Sequence, residues 1–364
     1  MTMNANAAKY LTKWQIFFIL TGVVIDIGIL SVPNDVVEIA NQDGWISVAI
    51  GMLYPLYITF AAAAISKLRP KEDILDITKS CFGKLLGTIL YLIMALVFLG
   101  YLIFTISGVV NFLRAYIVDF ISPLRFFSIF LLLSGYCAVK EERILSEVSK
   151  IVLFIAGGIL IIPLYAARYG SITNIQPVFE AGLYKIGLAS TKTIYSYTGI
   201  EVLFLILPLA KSYKDIKSAG IMTSLCCCFF YLYITAAGIC YLSPEILKKT
   251  MWSTVYIVES IRLPIINSFR LVVLVIWNLV VLKAAAINYH YCAQVIVKAF
   301  NIKNSFKIFV LIYPIAIILS MFLDNETIRR SIVNMLVPYI TGYGVLYVTL
   351  VLIAIGLKRG RTNE

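Results

Sequence analysis

The chain has 364 residues, 61% of them hydrophobic and only 14% charged, a balance that excludes an ordinary soluble domain. Its formal net charge is +12, but the basic residues sit in short breaks between apolar runs, which points to membrane topology and lipid headgroups and not to nucleic acid. Outside those runs there is no stretch in which an aqueous catalytic domain could fold, so an enzyme is not expected.

Ten apolar runs follow one another, each close to the roughly 20 residues needed to cross a hydrocarbon core about 30 Å thick. The first covers 13–39, too long for a signal-peptide core and followed by further spans, so it is expected to be retained. The second covers 44–66, and the loop after it, Pro70 to Gly83, sets Ile74, Ile77, Cys81 and Phe82 at helical spacing beside charged positions. That loop is expected to form a helix lying on the membrane surface. Runs three to five cover 84–113, 122–139 and 149–169.

Runs six to ten cover 182–210, 217–242, 268–299, 305–323 and 332–357. Between the seventh and eighth, the segment Ser243 to Pro264 is the longest outer loop, either a cap over the outer entrance or a plain interfacial helix. With the N-terminus inside, cytoplasmic segments carry 19 Lys and Arg against 10 on the other side. This is the positive-inside bias and places both termini in the cytoplasm.

The seven cysteines (Cys81, Cys137, Cys226, Cys227, Cys228, Cys240 and Cys292) and the single histidine, His290, show no metal-ligand spacing. They read as packing or hydrogen-bonded residues, and no metal or cofactor is expected.

Ten spans divide as five plus five, and each half opens on an interrupted run. The first contains DIGILSVP, with Asp26, Gly28, Ile29, Leu30 and Pro33; the sixth contains YSYTGIEVLFLILP, with Tyr197, Thr198, Gly199 and Glu201. Because five is odd, the halves have inverted topology: one repeat of about 13–169 and a second of about 182–357 within a single membrane domain. Matched interruptions in inverted halves mark the binding site of secondary transporters. Freed backbone groups are costly against hydrocarbon, so an opened helix must be buried or line a cavity, where its N–H and C=O groups become ligands. A mere kink or close-packing glycine is the competing explanation of each break.

Three ionisable residues fall near the bilayer centre: Asp26, Glu201 and Lys283. Each costs about 2.5–3.5 kcal/mol there if unpaired. Lys283 lies fifteen residues into the eighth span, too deep to snorkel, and is expected to bridge to one or both acids. It is either a coupling site for a proton or a fixed structural ion pair. Phe98, Tyr101, Phe104, Tyr195 and Tyr197 lie at the same depth, and those that face the breaks would line a pocket.

GILSVP, the DGWISVAIG that follows (Asp43 to Gly51) and TGIEVLFLILP together resemble the B subunit of the spore germinant receptors, the spore germination permease family of the amino acid, polyamine and organocation superfamily. The resemblance covers nearly the whole chain. It implies an all-α, leucine-transporter-type fold of ten spans with helices one and six discontinuous, and a small germinant, usually an amino acid, bound at the breaks. By the same resemblance the ligand site includes Gly28, Ile29, Leu30, Thr198, Gly199 and Glu201, with Tyr101 and Tyr197 as candidate walls. It also implies assembly with A and C subunits in the inner membrane of the dormant spore. Relatives commonly have glycine where Asp26 stands, and an ionised Asp26 would repel a ligand carboxylate unless Lys283 neutralises it. A proton-coupled amino acid transporter of the same fold is the alternative function, and a passive pore would need a continuous polar path.

Overall fold

A computed structural model of the chain describes residues 10–116, 121–161, 168–260 and 269–361. The end of the fifth run, the end of the long outer loop and the first nine residues lie outside them. The described residues are helical almost throughout. Five helical stretches (Val32–Leu68, Lys84–Tyr116, Tyr213–Leu247, Arg270–Ala299 and Glu326–Lys358) are long and apolar enough to cross a membrane, and shorter apolar helices stand between them. Span boundaries follow the apolar runs to within a few residues, with two exceptions. The fifth helix starts early, at Glu142, and the tenth at Glu326, because their charged first turns carry no apolar signal yet continue the helix beyond the hydrocarbon.

Both interruptions are real. Span one is a helix over Lys13–Val24, an extended Asp26 (φ −138°, ψ −164°), a 3-10 turn over Ile27–Leu30 and a second helix over Val32–Ala40. Span six is a helix over Gly182–Thr193, a turn over Ile194–Tyr197, an extended Thr198, Gly199 at φ 96° and a second helical piece that begins at Ile200. Only glycine adopts that last φ without strain. Its missing side chain is also needed for space, since a Cβ at Gly199 would stand 2.8 Å from Cγ2 of Val23 on span one.

The broken spans are held by the unbroken ones. Lys13–Val24 packs on Tyr213–Leu247, Glu142–Gly157 and Phe269–Ala299, and Gly182–Thr193 packs on Gly44–Gly51 and Val32–Ala40. Where helices approach most closely small residues stand between them: a Cβ at Gly220 would meet Thr59 at 2.4 Å, and one at Gly22 would meet Ser149 at 2.4 Å. This is the small-residue packing that membrane helices use in place of a hydrophobic drive.

The two halves are tied at both ends. At one end the Leu11 N–H donates to the Leu209 carbonyl at 2.8 Å, joining the start of span one to the end of span six. At the other end Asp43, fully buried, accepts from the backbone N–H groups of Phe179 (2.8 Å) and Ala181 (2.9 Å) just before span six. A buried carboxylate needs such donors, which gives the DGW sequence a physical reason.

The loop helix expected over Pro70 to Gly83 forms as Ile74–Phe82, with Ile74 and Ile77 wholly buried. It packs on spans three and ten and is thus part of the bundle as well as of its surface. The described part of the long loop between spans seven and eight forms a helix over Ser253–Ser260 and docks on the second half of span one. Asn34 donates to the carbonyls of Leu247 (2.8 Å) and Thr250 (2.9 Å) and accepts from the Ser253 N–H (3.1 Å). Trp252 packs edge-on to Phe112 and Tyr116. The loop therefore covers the break at the end where Val32–Ala40 lies, and its residues 261–264 lie outside the described part.

Candidate functional site

A cavity lies between the two breaks. Asp26 and Gly28 of span one and Tyr195, Ser196, Thr198 and Gly199 of span six form two of its walls. Tyr101, Phe104 and Thr105 of span three and Asn288 of span eight close it. Its volume is about 10 Å³, the space of one water. Gly28 keeps span one against span six, because a Cβ there would meet Ser196 Oγ at 3.3 Å.

Asp26 points at span three, where its Oδ2 accepts a hydrogen bond from the Thr105 hydroxyl. Its Oδ1 is buried and has no hydrogen-bond partner among the described residues, and the same holds for Oδ1 of Asn288. Two buried acceptor oxygens without donors thus belong to residues that border one small cavity.

Lys283 does not bridge to either acid, which corrects the expected ion pair. Its ammonium donates instead to the carbonyls of Gly22 (2.6 Å) and Ile25 (3.0 Å) in the last turn of the first half-helix. The reason lies in the break itself: a helix end leaves its last carbonyls without intrahelical partners, and its negative dipole end attracts a cation. An embedded amine satisfies both demands. A separate cavity of about 90 Å³, lined by Cys137, Leu145, Leu279 and Leu282, lies beside Lys283.

Glu201 is spent on holding the second break. Its Oε1 accepts from the hydroxyls of Tyr54 and of Tyr101 (2.9 Å), and its Oε2 from the Gly199 N–H (2.8 Å). It is 3% exposed and does not line the cavity. Tyr101 does, with its ring. Tyr197 faces away and donates to the Val48 carbonyl at 3.3 Å, while Ile29 and Leu30 line a different, apolar cavity of about 240 Å³ with Phe17 and Trp277. Of the residues expected at the ligand, the structure sets Gly28, Tyr101, Thr198 and Gly199 around the cavity between the breaks and Ile29, Leu30, Tyr197 and Glu201 beside or behind it; of the other two expected buried charges, Asp26 borders the cavity and Lys283 does not.

Three residues at the site carried no sequence signal. Tyr231 of span seven sets its hydroxyl between the carbonyls of Val24 (2.9 Å) and Ser196 (2.6 Å), one from each broken span. Asn288 lies in the span of Lys283 and His290, and nothing in its spacing sets it apart. Arg329, 4% exposed, lies next to the cavity walls: its guanidinium is paired with Glu326 at 2.7 Å and reaches the Phe104 carbonyl (3.4 Å) and the Tyr195 hydroxyl (3.5 Å). Arg330 joins the same cluster through Glu326 (2.8 Å) and Asp35 (3.6 Å). Removal of the bridging hydroxyl by Tyr231→Phe leaves buried carbonyls short of a donor, at a cost of about 1–3 kcal/mol. The variant is expected to unfold at a lower temperature than the parent in a thermal melt of the purified protein.

A family model described as "Spore germination protein" matches residues 10–328. The chain belongs to the spore permease family of spore germination proteins. Among curated members of that family, it is 21% identical over 343 residues to spore germination protein GerQB of Bacillus cereus, covering 93% of this chain and 92% of that one. It is 25% identical to spore germination protein YndE of Bacillus subtilis strain 168, over 96% of this chain and 98% of the relative. Among solved structures, a substrate-bound, outward-open Na⁺-coupled sialic acid symporter superposes with a TM-score of 0.67, at 12% identity, over 93% of this chain and 80% of that one. At that identity the likeness speaks for fold alone. This spore permease is thus an all-α membrane protein of the leucine-transporter type, with its first and sixth helices broken. It is no enzyme by family or by fold.

Proposed function

We propose that this spore permease is the membrane subunit of a germinant receptor, and that a small germinant binds between broken spans one and six. The observation that carries the reading is the cavity framed by both breaks and closed to about 10 Å³. Small-molecule sites of ordinary size are some 300–1,000 Å³, so no germinant fits this conformation. A ligand that binds only after the breaks part shifts the population toward the parted state by its differential affinity, and that shift is a signal. Tyr195 lines both this cavity and a larger one of about 450 Å³ against span ten, so movement of its ring would join the two. Partner A and C subunits in the inner membrane of the dormant spore would read the change.

Two measurements test the proposal. The first is the nutrient response of spores that carry the chain and of spores that lack it, with co-purification of two further subunits from spore membranes; a normal response without the chain would end the receptor reading. The second is uptake by the protein in liposomes. Lys283, an ammonium held by the carbonyls of the broken helix end, is the feature that favours a proton-coupled transporter, and saturable uptake driven by a proton gradient would move the assignment there.

A further inference from the structure

The two open oxygens define what the cavity can hold. Asp26 Oδ1 and Asn288 Oδ1 are buried acceptors without donors, and both residues border the same space. A buried carboxylate oxygen and a buried amide oxygen, each without a partner, are costly unless a donor arrives. Lys283 and Arg329 act on the Asp26 carboxyl through space, but neither donates a hydrogen bond to Oδ1. Lys283 is committed to the carbonyls of Gly22 and Ile25, and Arg329 to Glu326. Thr105 already serves the other oxygen of Asp26.

We infer that this cavity recognises its ligand by a protonated amine, with Asp26 and Asn288 as the acceptors. The inference rests on the binding site proposed above and names the chemistry that the site selects. An ammonium brings three donors and no acceptor, which matches two open oxygens. A metal cation fits less well, since hard cations gather six or more oxygens and the cavity offers two without partners. The remaining walls agree: Tyr101, Phe104 and Tyr195 present aromatic rings, whose faces attract cations and repel anions. A carboxylate is disfavoured at the same place, because it would meet Asp26 and could donate nothing to either oxygen. An amino acid germinant would accordingly be read first by its amine, and an amine without a carboxylate would also bind.

Calorimetry on the full-length protein in lipid nanodiscs tests this with three probe classes of matched side chains. These are amino acid amides (alaninamide, valinamide, phenylalaninamide), the corresponding deaminated acids, and the corresponding deaminated amides. Saturable binding is expected for at least one amino acid amide and for neither deaminated class. Asp26→Asn, nearly isosteric, is expected to weaken that binding by about tenfold or more, in keeping with loss of a charge-assisted hydrogen bond; Asn288→Ala should weaken it less. Both variants are to elute as the parent does in size exclusion. Equal binding of a deaminated probe, or an amide affinity unchanged by Asp26→Asn, overturns the inference. If a deaminated probe binds and Gly28→Val removes that binding, the site stands and its preference for amines falls. If no probe of any class binds, amine recognition falls, while the receptor reading is judged by the spore response alone.

Discussion

Spores whose only copy of this permease carries Gly199→Val are expected to lose the nutrient response, and Val23→Ala in the same chain is expected to restore part of it. Gly199 sits at φ 96°, where an L side chain costs about 1–2 kcal/mol from its own backbone. A Cβ there would also stand 2.8 Å and 3.1 Å from the two γ-methyls of Val23, closer than carbon atoms tolerate. Relief by moving span six away from span one would draw on the Tyr231 hydroxyl that lies between Val24 and Ser196, and would carry Glu201, bound to the Gly199 N–H, away from the hydroxyls of Tyr54 and Tyr101. Trimming Val23 removes the collision but not the backbone strain, so rescue should be partial. Membrane abundance by immunoblot separates a silent protein from a missing one. A full response from Gly199→Val would show that the second break need not keep its form, and the ligand site would have to be sought elsewhere.

Depth was legible in the sequence and direction was not. Hydrophobic length set the spans to within a few residues, and DIGILSVP and YSYTGIEV marked the two breaks because glycine, proline and acid at mid-membrane have few other physical explanations. The same reasoning put Asp26, Glu201 and Lys283 at one level and so paired them. It could not say which way each points, because an unwound segment has no periodicity from which to read a face. In the fold Asp26 turns to Thr105 and Glu201 to Tyr54 and Tyr101, while Lys283 finds backbone carbonyls. Carbonyls carry no letter in a sequence, so a helix end is an invisible partner. Tyr231 was hidden for another reason: it stands in a run of aromatic and small residues, TSLCCCFFYLYITAAG, where nothing in the letters sets one tyrosine apart from its packing neighbours. Asp43 lay in the motif that carried the resemblance, yet only the loop before span six, far away in sequence, explains what its carboxylate is for.

Lys283→Met is expected to abolish the nutrient response while the protein still accumulates in membranes. The lysine is 2% exposed, and its ammonium is the donor for two carbonyls at the end of the first half-helix. Methionine fills similar space and offers no donor, so the Gly22 and Ile25 carbonyls would lose a buried partner at about 1–3 kcal/mol each. The fold can survive that, because span one is also held by spans five, seven and eight. What should not survive is the position of the break. The half-helix end carries partial negative charge, and methionine removes the cation that offsets it and that also acts on Asp26. Lys283→Gln separates the two contributions, for its amide can donate to a carbonyl but bears no charge. If Gln restores the response, the lysine acts as a clamp on the backbone. If Gln fails as Met does, the charge itself is required, as a coupled proton or as the counterweight to Asp26, and the liposome assay then tells which. An undiminished response from Lys283→Met would remove the embedded amine from the mechanism and leave the break to be held by Tyr231 and Glu201.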